Sequence, residues 1–214
     1  MRFLTMLFPN RCPYCNAVIE PEKPVCDECS FRFDPKPYIQ RLPNGCTCIS
    51  AFEHSGIQRK MMLDFKFHKK KHYYKSFAAV INILVKNEWG DIHFDYYTSV
   101  PAHKRKIKAR GYDQTKIIAE SAADLNRCKY RKLLVQVKNN RPQRELNAQE
   151  RRENVKGVYE FSGKCDLVGK TILIIDDVIT TGSTLLECTN TLLENGAKAV
   201  CCATVNCRSR SDED

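Results

Sequence analysis

The chain of 214 residues lacks any apolar run that could cross a membrane, and its first residues do not predict a secretory leader. The apolar segment at residues 3–8 is broken by Thr5 and stopped by Pro9, well short of a signal-peptide core. No stretch approaches the roughly 20 apolar residues of a spanning helix. Internal repeats and low-complexity tracts are also lacking. We therefore expect no membrane insertion, a cytoplasmic location, and one ordinary domain with a small appendage.

Acidic residues are fewer than basic ones in this chain. The chain has 25 Asp and Glu residues against 35 Lys and Arg residues, a formal net charge of +10. Such an excess favours a polyanionic partner, which is a polyphosphate substrate, a nucleic acid or both. Charge alone does not choose among these partners.

Four of the 12 cysteines form two Cys-x-x-Cys pairs near the start of the chain. In a reducing compartment, clustered cysteines bind metal more often than they form disulfides. The spacing suits one tetrahedral structural zinc ion, which would also supply the folding energy of so small a module. Redox-active pairs and free thiols are the alternatives. The predicted zinc ligands are Cys12, Cys15, Cys26 and Cys29.

A third, closer pair follows at Cys46 and Cys48, with only one residue between the two thiols. Cys-x-Cys spacing is weaker evidence for a metal site than Cys-x-x-Cys. The pair could complete a second site, lend a ligand to the first, or consist of two ordinary thiols.

Residues 172–184 form the most informative segment of the chain. An apolar run ends in Asp176 and Asp177, which indicates a buried parallel strand that brings two carboxylates to the carboxyl edge of a sheet. The turn that follows offers N–H groups and hydroxyls at a helix N-terminus, where phosphate binds readily. A ribose 5-phosphate satisfies both features. The phosphate-binding residues are predicted to be Thr180, Thr181, Gly182, Ser183 and Thr184.

This segment resembles the phosphoribosyl pyrophosphate (PRPP) loop of type I phosphoribosyltransferases. The alternative is a buried strand with an ordinary capped turn. Two adjacent carboxylates at a strand end are costly without a partner, which disfavours that alternative.

Two basic segments are predicted to face the same site. Residues 100–110 follow a predicted strand with a loop rich in cations, which suits a pyrophosphate leaving group. Lys66 lies between Phe65 and Phe67, ahead of a basic run that is otherwise expected to be solvated surface. The predicted ligands are Lys66, Ala102, His103, Lys104 and Arg110.

Residues 139–157 are polar and contain hardly any apolar side chain. A long polar loop inside an α/β domain is more often a mobile lid than a structural connection. The predicted lid residues are Arg141, Gln143, Arg151 and Asn154.

Strands and helices alternate along the rest of the chain. Helical periodicity at residues 75–88, 115–126 and 183–194 alternates with strands at 96–100, 133–137, 171–175 and 199–205. This order predicts an α/β fold, with a parallel sheet flanked by helices and a ligand at its carboxyl edge. We divide the chain into a cysteine-rich zinc module at residues 1–50, a possible hood over the site, and a phosphoribosyltransferase-like domain at 51–214.

The order of these motifs resembles the ComF family, bacterial phosphoribosyltransferase-like proteins associated with DNA uptake in natural competence. The resemblance covers nearly the whole chain. It rests on the first cysteine pair, Val100–Lys106, Arg110–Gln114, residues 142–157 and the Asp-Asp turn. Asp113 stands where the family has asparagine.

The resemblance implies a type I phosphoribosyltransferase fold that binds PRPP with magnesium (Mg²⁺). Asp176 and Asp177 would be the catalytic residues and would hold the ribose hydroxyls directly or through the metal. The implied function is phosphoribosyl transfer in DNA uptake or nucleotide metabolism. The alternative is a non-catalytic competence accessory module that binds single-stranded DNA and a helicase partner. The acceptor base is not identified.

Overall fold

The computed structural model describes residues 9–20, 23–68, 70–138, 150 and 155–208. The strands in this part of the chain are β1 (Asn10–Arg11), β2 (Val18–Ile19), β3 (Tyr38–Arg41), β4 (Thr47–Glu53), β5 (Tyr96–Ser99), β6 (Lys129–Tyr130), β7 (Leu134–Gln136), β8 (Tyr159–Phe161), β9 (Thr171–Ile179) and β10 (Ala199–Cys207). The α-helices are α1 (Gly56–Phe67), α2 (Tyr73–Trp89), α3 (Lys104–Arg110), α4 (Gln114–Leu125) and α5 (Ser183–Glu194).

The main sheet has six strands in the order β3-β4-β10-β9-β5-β6. Its five-strand portion from β4 to β6 is parallel, and β3 pairs antiparallel with β4. The sheet is therefore mixed, with the predicted parallel strands and one antiparallel edge strand. An antiparallel edge is possible here because β3 and β4 are joined by a short turn, whereas every parallel neighbour needs a crossover.

Alternating side chains of β9 place the sheet between two apolar cores. Leu173 and Ile175 pack with α1, α2 and α4 on one face. Ile172 and Ile174 pack with α5 and the β7–β8 hairpin on the other. All four side chains are fully buried. A strand that is covered on both faces reads as a continuous apolar run, as it does in this sequence.

The predicted helices and strands of the main domain are present, with small shifts at their ends. The segment after Pro101, expected as a loop, instead forms helix α3. Its N-cap is His103, whose Nδ1 accepts a hydrogen bond from the Arg105 N–H at 3.2 Å, and Gly111 ends it with a φ of 82°. Ile107 is the one aliphatic side chain longer than alanine in this helix, so the segment has no apolar periodicity to reveal it.

The cysteine-rich module packs beside α1 and α2. It consists of the β1–β2 hairpin and a 3₁₀ segment at Asp27–Arg32. Gln58 donates a hydrogen bond to the Tyr14 hydroxyl at 2.8 Å, and Phe33 meets Phe52 edge-on at 5.5 Å. The predicted domain division at residue 50 falls within β4. None of the helices in the described part of the chain is long and apolar enough to span a membrane.

Candidate functional site

A cavity of about 370 Å³ opens at the carboxyl edge of the main sheet, where β4, β5, β9 and β10 end. Helix α1 borders it on one face of the sheet and the β7–β8 hairpin borders it on the other. Its lining includes most of the predicted site residues, namely Lys66, Ala102, His103, Arg110, Asp176, Asp177, Thr180, Thr181, Gly182, Ser183 and Thr184.

Two carboxylates and one ammonium group form the polar centre of this cavity. Asp176 and Asp177 lie near the end of β9, and the backbone N–H of Asp177 donates to Asp176 Oδ1 at 2.8 Å. The last turn of α1 brings Lys66 Nζ within 2.8 Å of Asp177 Oδ1. The side chains of this ion pair are only 19% and 14% exposed, so the contact is shielded from water. The predicted lysine and carboxylate therefore meet directly.

Among the described residues, no cation forms an ion pair with the second carboxyl group, that of Asp176. Burial, followed by the negative charge of Asp177, raises the pKa of Asp176 well above its usual range, against the weaker opposing effect of Lys66 and Lys106. A divalent cation or a pair of hydroxyl donors would compensate this charge. The donor set, two adjacent carboxylates beside a phosphate-sized turn, suits magnesium, which is bound by one or two carboxylates together with substrate phosphates.

The turn after β9 leads directly into a helix N-terminus that glycine caps. Gly182 adopts a φ of 76°, in the left-handed region, and is the N-cap of the 12-residue helix α5. Glycine has no side chain that could accept hydrogen bonds from the first N–H groups of this helix, and the N-terminus of a helix of at least two turns is a common place for an anion to bind. The hydroxyls of Thr181 and Ser183 lie 2.9 Å apart beside these N–H groups.

The loop after β5 lies on the opposite side of the carboxylates from β10. Thr115 Oγ1 donates to the Val100 carbonyl at 2.7 Å and fixes the start of this loop against α4. Ala102 and His103 line the cavity, whereas Lys104 begins α3, is exposed and is not among the lining residues. Lys106 lines the cavity instead, because the helix turns it toward the carboxylates.

Several lining residues were not among the predicted ones. His54 and Arg208 follow β4 and β10, while Gln136 and Tyr159 come from the β7–β8 hairpin. No sequence motif marks these positions, because they reach the site through strand order alone. The predicted lid residues Arg141, Gln143, Arg151 and Asn154 lie outside the described residues.

The four predicted zinc ligands lie together. The Sγ atoms of Cys12, Cys15, Cys26 and Cys29 are all within 4.8 Å of one another, as four corners around one tetrahedral ion require. Cys12 and Cys29 are buried and Cys15 is exposed. The donor set fits a closed structural metal site. Cys46 and Cys48 are outside this cluster, and Cys48 is buried in the core beneath α5.

The chain is similar in sequence to several known proteins. A family model described as phosphoribosyl transferase domain matches residues 116–214. DNA utilization protein YhgH of Escherichia coli (strain K12) is 22% identical over 198 residues, which cover 88% of this chain and 86% of that protein. Competence protein F of Haemophilus influenzae is 30% identical over 103 residues, covering 47% of this chain and 45% of that protein.

In these similarities the chain resembles the ComF family, as its motifs predict. Its main domain has the type I phosphoribosyltransferase fold, as the resemblance implied. Among solved structures, adenine phosphoribosyltransferase aligns with a TM-score of 0.44 and 7% identity, over 85% of this chain and 90% of that chain.

The cysteine cluster predicts a metal content that can be measured. Freshly purified, reduced protein should contain about one zinc ion per chain. Cys12→Ser should lose it and loosen the front module while the sheet domain stays folded. Cys165→Ser, outside the cluster, is the matched control. Elemental analysis checks the metal, and wild-type protein without zinc would contradict the assignment.

The geometry of the turn predicts two separable effects of Gly182→Ala. A left-handed φ at a non-glycine residue costs about 1–3 kcal/mol, and the new Cβ would lie 2.9 Å from Leu42 Cδ2. Urea unfolding measures the stability loss, and titration with inorganic phosphate should show binding at least about tenfold weaker. Gly163→Ala, with a φ of 66° and nothing within 4 Å of its Cβ, should lose stability but keep phosphate binding. Equal phosphate binding in the two variants would exclude the turn as the anion site.

Proposed function

We propose that this protein binds PRPP with magnesium in the cavity and transfers its phosphoribosyl group to an acceptor. The observation that carries the proposal is one cavity that joins paired carboxylates to a glycine-capped helix N-terminus. A ligand with both hydroxyls and phosphate, such as a ribose phosphate, would use both halves of such a site, directly or together with magnesium. The names of its relatives favour a role in competence and DNA utilization.

The residues would divide the ligand between them by charge. Residues 180–184 would hold the 5-phosphate through N–H groups and hydroxyls. Asp176 and Asp177 would hold the ribose hydroxyls and the magnesium ion, which neutralises phosphate charge when it is bound. The loop at Pro101–His103, with Lys106 and Arg110, would stabilise the departing pyrophosphate by preorganised donors and positive charge.

Lys66 would have two partners in this scheme. In this structure its ammonium donates a hydrogen bond to Asp177 Oδ1 at 2.8 Å. With ribose hydroxyls and magnesium held by that carboxylate, the Lys66 ammonium would be available to the pyrophosphate. The ion pair would thus compensate both charges whenever no ligand separates them, since an unpaired charge at a shielded position is costly.

We assign zinc a structural role, since four thiolates leave no open coordination position for chemistry. Reduced thiolates and a PRPP ligand both suit a cytoplasmic protein. The front module would then support the wall of the cavity that α1 forms, because it packs on α1, which carries Lys66.

The proposal predicts magnesium-dependent PRPP binding that relies on Asp177. Asp177→Asn should weaken binding by about 1–3 kcal/mol, because a charged hydrogen-bond acceptor is lost. Asp91→Asn, at an exposed aspartate outside the cavity, is the matched control and should bind as wild type does. Calorimetric titration with and without magnesium measures both. A wild-type protein that shows neither heat nor a thermal shift with millimolar PRPP would refute the ligand assignment.

The second candidate function is a non-catalytic accessory role with single-stranded DNA and a helicase partner. The observation that favours it is a set of aromatic rings beside surface cations next to the cavity. Phe67 is 53% exposed with the Arg110 guanidinium 5.3 Å from its ring centroid, and Lys71 Nζ lies 5.6 Å from the Tyr112 ring. Bases can stack on such rings while the cations follow the backbone.

Competition separates the two functions. Single-stranded DNA that binds here should show a slope of about −0.7 per phosphate contact in log affinity against log salt. Because Lys66 and Arg110 would serve both ligands, saturating PRPP with magnesium should displace the DNA. Fluorescence anisotropy of a labelled oligonucleotide measures this. Equal DNA binding with and without PRPP would show separate sites, and no binding at low salt would remove the second candidate.

A further inference from the structure

One end of the cavity has no role in holding PRPP as proposed above. His54 and Arg208 line it there, beyond the ends of β4 and β10. Backbone hydrogen bonds tie this end to the sheet, since Arg208 N–H donates to the Ile179 carbonyl at 2.9 Å and His54 N–H donates to the Cys207 carbonyl. We name His54, Asn206 and Arg208 the β10 end of the cavity.

We infer that the β10 end holds the phosphoribosyl acceptor, and that this acceptor is a nitrogen heterocycle carrying an oxo or carboxylate group. The inference rests on the proposed function. It adds the place of the acceptor, its chemical class and the residues that select it.

The position of the acceptor follows from the strand order of the sheet and from the direction in which pyrophosphate is displaced. The order β4-β10-β9-β5 sets the carboxylates of β9 between the β10 end and the loop after β5. With pyrophosphate on the β5 side, a nucleophile aligned opposite the leaving group must approach from the β10 side. A ring nitrogen forms the new bond to ribose C1 as the C1–O bond to pyrophosphate breaks. The proton lost by that nitrogen ends on the released pyrophosphate.

Asn206 fixes what His54 can offer to an acceptor. Asn206 is 1% exposed, and its Nδ2 lies 3.3 Å from the Gln58 carbonyl and 2.9 Å from His54 Nδ1. Because the Gln58 carbonyl can only accept a hydrogen bond, the Asn206 side-chain amide must present its Nδ2 to Gln58 and His54. His54 Nδ1 therefore also accepts a hydrogen bond from Asn206 Nδ2. The neutral imidazole therefore carries its proton on Nε2. Burial and the positive charges of Lys66, Arg208 and Arg59 lower the pKa of His54 to about 4, which keeps the ring neutral.

The two lining side chains of this end are therefore both donors, an imidazole N–H and a guanidinium. Among the described residues that line the cavity, the carboxylates are Asp176 and Asp177, which the ribose and magnesium would occupy. An exocyclic amino group at the β10 end would place its N–H bonds against donors and leave them unpaired, at a cost in binding. An oxo or carboxylate oxygen accepts from both, and the guanidinium favours the carboxylate further.

Matched pairs of heterocycles test the chemical class. Full-length, zinc-loaded protein is given PRPP and magnesium, and pyrophosphate release is measured with hypoxanthine against adenine and with nicotinate against 3-aminopyridine. At least one oxo or carboxylate compound should raise release by about tenfold or more, and its amino counterpart should not. Amino compounds that work equally well, or a panel without effect on a protein that binds PRPP, would overturn the inference.

Variants test the residues. Arg208→Met should raise the KM of the effective acceptor at least about tenfold, with PRPP affinity affected far less. Arg131→Met, exposed and outside the cavity, is the matched control. His54→Gln keeps an N–H donor and should retain most of the acceptor affinity that His54→Phe loses. If His54→Phe does not fold, Arg208→Met still decides, because Arg208 is exposed.

Different results would contradict the proposed function and the acceptor assignment. Absence of PRPP binding by wild-type protein would end the proposed function itself. If instead PRPP binds and Arg208→Met weakens PRPP rather than the acceptor, the β10 end belongs to the PRPP site and only the acceptor assignment falls.

Discussion

The shielded ion pair between Lys66 and Asp177 is the interaction on which the site depends. Two carboxylates at the end of a buried strand repel each other, and without a cation they would favour protonation or exposure of the strand end. The ammonium of Lys66 compensates one of them at 2.8 Å. To do so, α1 must end over the carboxyl edge of the sheet, so the pair sets the position of a helix as well as a charge.

Helix α1 in turn connects three parts of the molecule. Its apolar face buries Met61, Met62 and Phe65 against the sheet. Gln58 contacts both the front module, through Tyr14, and the β10 end, through Asn206. A structural metal in the front module would therefore support the wall of the cavity without touching a ligand. This arrangement explains how a closed metal site and a phosphate site can belong to one function.

The charged groups of the cavity alternate in sign from one end to the other. The β5 side carries Lys106 and Arg110, the middle carries the carboxylates, and the β10 end carries a neutral imidazole and Arg208. A ligand with one anionic group at each end and hydroxyls between matches this order. The net charge of +10 thus has a local meaning at the site, in addition to any attraction of polyanions over the wider surface.

Much of the fold was predictable because the relevant signals are local. The continuous apolar run of β9, the periodicity of α2, α4 and α5, and the glycine of the turn each act within a few residues. Helix α3 was missed because a basic helix with a single large apolar side chain has no periodic pattern. The antiparallel β3 was missed because pairing direction depends on which strand lies beside it.

The sequence by itself determined which chemical groups are present: the paired carboxylates, the glycine turn after β9 and the four thiols, whose residue types and spacing suffice to recognise them. Only the tertiary structure decided which cations reach those groups. Lys104 and Lys106 are two residues apart in one basic run, yet only Lys106 lines the cavity, because a helix turns the two side chains to different sides. His54 and Arg208, separated by more than half the chain, meet because β4 and β10 are neighbours. Strand order is a property of the whole packed sheet, and no local pattern encodes it.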